Sequence, residues 1–295
     1  MKEIAKFAMT SRWHAIGLTG LFALLGIYFI PVIIFSAAVI GLVTLRRGGW
    51  DGVMVAVGAG VITWMVFVLL PPKPGFPFPL APALWVPVWL CALVLRRTLS
   101  QGVMVMTAGV WLLGYVLLVH WLTGDVVTFW KHWLEVAVAN VKGATVYGFE
   151  EEGTLRLINS LMTMLYGIAV IASLLLARWW QALIYNPGGF APEFRHLQMP
   201  RLLVAVAVAL VWLAGTWDKI LMVDLLVAAM TLYLFQGLAV VHFFVVRFER
   251  SWVWLVPVYG LLLMLPQFSL VAVAFLGAVD SLADLRGLNK REDAA

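Results

Sequence analysis

Charged side chains make up only 12% of this chain while 63% of its residues are hydrophobic. A soluble domain carries about 25% charge, so that shortage excludes one. A single cysteine, Cys91, lies inside an apolar run, which excludes an intramolecular disulfide and a cysteine-based metal cluster. No Gly-x-x-x-x-Gly-Lys-Ser/Thr loop, His-Glu-x-x-His pair or Gly-x-Ser-x-Gly elbow occurs, so no standard nucleotide, zinc or hydrolase motif points to chemistry. His132 and Glu135 share a helical face but lack the further ligands a metal needs. No cofactor is expected. The net charge of +5 is spread over loops and lines no patch, so nucleic acid is not an expected partner. No small-residue cleavage site in a secretory pattern accompanies the first apolar run, so no removable signal peptide is expected.

What is abundant is hydrocarbon-seeking sequence, with a mean hydropathy of +0.98. Several runs reach the roughly 20 residues that span a bilayer. The expected fold is an all-α polytopic membrane protein of about eight to ten transmembrane helices with both termini cytoplasmic. Spans are predicted over 13–30, 32–45, 52–70, 83–95, 102–122, 156–177, 201–216, 220–246, 252–265 and 267–282. From Trp13 to Leu45 the run is about 50 Å long as one helix, too long for one crossing, and Pro31 divides it. Pro257 and Pro266 mark a second divided pair. The proline-rich stretch 71–82 cannot continue the helix before it.

Charge supports the hairpin reading of 13–45. Of the 20 basic residues, only Lys73, Lys131, Lys142, Arg156 and Lys219 then fall on the outer side. A single crossing would put the Arg46-Arg47 and Arg96-Arg97 pairs outside. Of the 15 Trp residues, many (Trp50, Trp121, Trp130, Trp179, Trp180, Trp217, Trp252) lie at run ends, where an interfacial belt forms. Four units follow: a membrane half over 1–122, an external amphipathic segment over 123–155, a second membrane half over 156–285 and a cytoplasmic tail over 286–295. The stretch 128–141 alternates apolar and polar residues at helical period, and 149–156 reads as the turn and cap of the next helix. LRRGGWDGVMV (45–55) is echoed by LRRTLSQGVMV (95–105), each an inner loop leading into a helix. Gly52, Ala56 and Gly60, with Gly17 and Gly20, form small-residue stripes that let helices approach closely.

Polar groups inside spans are expensive and so are the natural functional candidates. Asp224, Gln236 and His242 share the run 220–246. Asp224 and His242 share a face but are about 27 Å apart along the axis, one at each interface, with Gln236 deep between them. These three are the candidate ligand path; the bland alternative is one interhelical hydrogen bond and two interfacial side chains. The longest cytoplasmic break, 178–201, is read as Trp179 and Trp180 anchoring a helix end and a turn at Asn186-Pro187-Gly188-Gly189. In that reading Phe190, Phe194 and Leu197 dip into the membrane surface beside solvated Glu193, Arg195 and His196. Trp179, Trp180, Asn186, Gly188, Gly189, Phe190, Glu193, Phe194 and Arg195 are thus candidates for contact with headgroups or a protein partner. Otherwise the segment is an ordered connector.

Arg178-Trp179-Trp180-Gln181, Asn186 to Phe190, Glu193-Phe194, Gln236-Gly237 with His242, and Asp280 with Asp284-Leu285-Arg286 together resemble the YybS-like membrane proteins. The resemblance is strongest over 156–290. It implies a bacterial inner-membrane protein of a family without assigned function, distantly likened to the substrate-binding S components of energy-coupling-factor transporters. The expected activity is transport-related binding of a small molecule in the bundle, not catalysis. The alternative is a scaffold that recruits a partner through 178–201.

Overall fold

The architecture was determined from a computed structural model that describes residues 1–69, 80–139, 154–217 and 219–288. The stretch 71–82, the end of 128–141 and most of the turn 149–156 lie wholly or partly outside these residues. So does Asp218.

Every regular element among the described residues is helical. The chain runs through α1 (Lys2–Thr10), α2 (Arg12–Tyr28), a 3₁₀ turn (Ile30–Val32), α3 (Ile33–Arg46), α4 (Gly49–Leu69), α5 (Leu80–Thr98) and α6 (Gln101–Thr123). It continues with α7 (Val126–Val138), α8 (Leu155–Tyr185), α9 (Phe190–Arg195), α10 (Leu202–Leu213), α11 (Lys219–Arg247), a second 3₁₀ turn (Trp252–Trp254), α12 (Leu255–Met264) and α13 (Pro266–Ala283). Among the described residues five helices, α4, α6, α8, α11 and α13, are long and apolar enough to cross a bilayer. This is an integral membrane protein. An eight-to-ten-segment topology requires that shorter elements such as α2, α3, α10 and α12 also cross.

Trp13 to Leu45 does form two helices, α2 and α3, folded back at Pro31. α3 is the central stave. Its residues from Ser36 to Leu45 are all buried, against α2, α4, α5 and α8. Lipid-like surroundings give no hydrophobic drive between helices, so such a stave is held by close packing of small side chains. Gly41 supplies it: a Cβ there would lie 2.9 Å from that of Ala177 on α8. Gly52 does the same for α4, where a Cβ would meet Thr44 Oγ1 at 2.0 Å. Gly60 and Gly20 sit at ordinary contact distances, and Gly17 faces nothing.

The arginine-rich loops gather at one end of the bundle and finish its helices. A helix leaves its last carbonyls without partners. Arg47 donates to Met9 O at the end of α1, Arg96 to Thr44 O (3.1 Å) at the end of α3, and Arg201 to Ser281 O (3.2 Å) at the end of α13. Arg12 pairs with Asp51 at 2.6 Å, and the Arg46 guanidinium lies 4.2 Å over the Tyr185 ring. Both copies of the LRR…GVMV echo sit at this basic end, as the two-residue turns from α3 to α4 and from α5 to α6.

Pro87 lies inside α5, lacks an N–H and leaves the Ala83 carbonyl without its helical partner. The Tyr166 hydroxyl on α8 donates to that carbonyl at 2.9 Å and accepts from Trp111 Nε1 at 2.9 Å. Replacing Tyr166 by Phe keeps the ring and orphans the carbonyl. The expected loss is about 1–2 kcal/mol in detergent unfolding, read from tryptophan fluorescence.

Several placements differ from the sequence reading. The helix expected over 156–177 runs on to Tyr185, so Arg178, Trp179 and Trp180 are helical and the loop begins only at Asn186. Arg178 finds a carboxylate and Trp180 a packed environment, which makes two further turns favourable. Trp180 is not an interfacial anchor: it is fully buried, its ring 6.2 Å from that of Phe35. Phe194 and Leu197 are buried in protein and do not dip into lipid. Asp224, read as an end-of-span residue, is enclosed by polar groups from two neighbouring helices and is wholly buried. Arg286, assigned to the tail, is buried at 3% exposure. Trp50, Trp121, Trp217 and Trp252 are strongly exposed, as belt residues are.

Candidate functional site

At the end of the bundle opposite the arginines, Asp224 is wholly buried on α11. Its Oδ2 accepts from Asn159 Nδ2 of α8 at 2.6 Å and lies 2.8 Å from His120 Nε2 of α6. Its Oδ1 accepts from Ser160 Oγ. A carboxylate has no proton to give, so the ionised form requires the proton on His120 Nε2. His120 is nearly enclosed, with 12% of its side chain exposed. The contact therefore lies where water is scarce and electrostatic interactions are strong.

The quartet does not stand alone. Trp130 of α7 donates from Nε1 to Asn159 Oδ1 at 3.2 Å, which links the surface helix to the buried carboxylate. The same Trp130 lines a cavity of about 660 Å³ with Tyr115, Val119, Leu122, Thr123, Asp125, Thr128, Phe129 and His132. That volume lies within the range of small-molecule sites. α7 is set over the cavity by its first turn. Asp125 caps it, accepting from Thr128 Oγ1 (2.6 Å) and Val127 N (2.9 Å). The Thr128 hydroxyl first, then the Val127 amide, hold the exposed Asp125 carboxyl below its ordinary value. Its folded-state pKa is depressed, so its contribution to the cap is present above the unfolded value. That contribution is lost as pH falls through the lower folded value. Asp125→Asn is expected to loosen α7 at neutral pH and to change nothing once the native carboxyl is protonated. Amide exchange at Val127 and Thr128 measures this.

Of the three path candidates, only Asp224 belongs to this site. Gln236 is buried, but its amide is committed. Oε1 accepts from Met199 N (2.8 Å) and lies 3.0 Å from Ser281 Oγ, and Nε2 donates to Asp280 Oδ2 (2.7 Å). Asp280 in turn holds Arg286, with Nη2 at 2.7 Å, both side chains enclosed. Arg286 also donates to Arg195 O (2.6 Å) and Leu197 O (2.9 Å). This second cluster is a lock that fastens the chain after α9 to α11 and α13. His242 is near the basic end, 2.9 Å from the Tyr259 hydroxyl and edge-on to Phe194 at 5.5 Å.

The 186–195 candidates form a cap over that lock. Glu193 takes two bonds from Arg178, Nε at 2.8 Å and Nη2. Phe190 stacks on Phe194 at 6.0 Å. Asn186, Pro187 and Gly188 are exposed, with Gly188 at φ +89° in the left-handed region that favours glycine. Trp179 is half-buried on α8. Among the described residues no group of three or more His, Cys, Asp or Glu is placed to hold a metal.

His120, Asn159 and Ser160 were not singled out by sequence. Their common signal is depth. His120 is fourth from the end of α6, Asn159 fifth in α8 and Asp224 sixth in α11. Each is a polar group at the same level of an apolar run. No protein-family model matches the chain, and neither a curated protein nor a solved structure shows significant similarity to it.

Proposed function

We propose that this integral membrane protein is transport-related, binding a small polar solute at the end opposite its arginine face. The solute enters the cavity under α7 and reaches the Asp224 quartet when Trp130 yields its bond to Asn159. The observation that carries this reading is Asp224: a wholly buried carboxylate in an apolar helix bundle, joined through one tryptophan to a 660 Å³ cavity. An intramembrane ionisable group is costly to keep, and stability alone is served better by an apolar side chain. The sparse polar inventory disfavours an enzyme. No nucleotide motif is present in the sequence, so energy would come from an ion or from a separate subunit. The resemblance to YybS-like proteins favours a bacterial inner membrane, with the basic end cytoplasmic by the positive-inside bias.

A second reading has its own support. The exposed turn 186–188 stands on a rigid base of Arg178–Glu193 and buried Phe194, which suits a docking loop for a protein partner. Native mass spectrometry of the gently extracted protein separates the two. The transport reading expects a stoichiometric small molecule, lost in Asp224→Asn while the thermal transition is retained. A protein partner lost on altering Asn186 to Gly188, with no small molecule bound, would favour the scaffold.

A further inference from the structure

At the basic end, a cavity of about 280 Å³ opens between α3, α5, α8 and α9, lined by Leu45, Leu95, Arg96, Leu99, Arg178, Gln181 and Glu193. Its hydrogen-bonding groups are out of balance. Both Glu193 oxygens are taken by the Arg178 fork, and Gln101 Nε2 approaches Oε2 at 3.4 Å. The Gln181 Oε1 acceptor is taken by Arg178 Nη1 at 2.7 Å. Donors remain. Arg96 spends one N–H on Thr44 O, out of five. Gln181, which also lines the cavity, carries two further N–H donors on its amide nitrogen. Each of these side-chain acceptors already carries a bond, donors remain, and the Arg178–Glu193 pair cancels, so Arg96 leaves a net positive charge.

The group that complements such a site is an oxyanion, and guanidinium matches phosphate with two parallel bonds. The cavity's other wall is apolar. Leu45 and Leu95 are buried, whereas Leu99 is 78% exposed and held at φ +56°, a conformation leucine rarely adopts. An exposed leucine beside unspent arginine donors, at the end where the bundle meets the headgroup layer, fits a lipid better than a free ion.

We propose that this cavity binds the phosphate of one anionic phospholipid, with Arg96 and Gln181 on the phosphate and Leu99 against the start of an acyl chain. This site is separate from the Asp224 quartet and does not depend on the transport reading.

Native mass spectrometry of the delipidated full chain in neutral detergent, titrated with phosphatidylglycerol, tests it. A one-to-one adduct is expected, weakened on the order of tenfold in Arg96→Ala. Arg97→Ala, a neighbouring arginine outside the cavity lining, should leave it unchanged. Gln181→Glu keeps an acceptor for Arg178 and places a negative charge in the cavity; it should abolish the adduct without relying on the fate of the Arg96 cap on α3. Equal losses in Arg96→Ala and Arg97→Ala, or full retention in Gln181→Glu, would overturn the site. Displacement of the adduct by millimolar inorganic phosphate would overturn the lipid assignment and leave a site for free phosphate.

Discussion

Replacing Arg286 by alanine is expected to remove about 3–5 kcal/mol of stability, the cost of leaving a buried partner charge uncompensated. Asp280 would remain enclosed, at 1% side-chain exposure, with only the Gln236 amide left to it. The loss does not stop at the ion pair. Arg286 also satisfies Arg195 O and Leu197 O, two carbonyls that no helix serves, and each orphaned buried carbonyl adds to the cost. Lysine cannot substitute, because a point charge on a flexible stem lacks the fork that meets Asp280 and two carbonyls together. A double replacement by apolar residues, often neutral for a simple buried pair, should also fail here, since it leaves those carbonyls and the Gln236 amide NH₂ without their partners. Arg250→Ala, whose guanidinium lies 5.7 Å over the Trp254 ring on the surface, should be nearly silent. Thermal unfolding in detergent gives the ranking. Tryptic cleavage after Arg195 should rise in Arg286→Ala alone.

The second large effect is expected at Gly237. A Cβ there would lie 1.9 Å from Val273 O, and one at Gly277 would lie 2.2 Å from Tyr233 O. The two glycines let α11 and α13 touch backbone to backbone. Overpacking usually costs about 1–3 kcal/mol, but the obstacle here is a main-chain carbonyl and cannot rotate away. Gly237→Ala should therefore sit at or above the top of that range. The helices can only separate, and Gln236 and Asp280 lie one and three residues from the contact. Combined with Arg286→Ala, the loss should be less than additive, because both changes open the same lock. Gly260→Ala, with nothing within 4 Å, is the control and should not destabilise.

The helices were legible because hydropathy and charge bias act along the chain. The fold-back at Pro31 could be inferred since a single crossing would have inverted every later arginine pair. Helix ends were less legible. α8 continues past Ala177 because Arg178 meets Glu193 and Trp180 meets Phe35, partners supplied by other parts of the chain. The same limit hid the Asp224 quartet, whose members come from three helices and whose facing sides depend on how those helices rotate. Asp224 was visible as a costly polar group in a span, whereas His120 was one of five scattered histidines. Gln236 is buried, and its partners Met199, Ser281 and Asp280 lie 37, 45 and 44 residues away. Small-residue stripes were sought at 52–60 and found at Gly52, while the comparably close contact at Gly237 and Gly277 involves one glycine per helix.

The central claim is that water and solute reach the Asp224 quartet through the cavity under α7. Cysteine accessibility tests it most directly. With Cys91 replaced by alanine, Tyr115→Cys places a thiol on the cavity wall. A membrane-impermeant maleimide added on the side opposite the arginine face should label it, and Trp130→Ala should extend labelling to Ser160→Cys beside Asp224. Labelling of Tyr115→Cys only from the arginine side, or not at all in folded protein, would contradict the account.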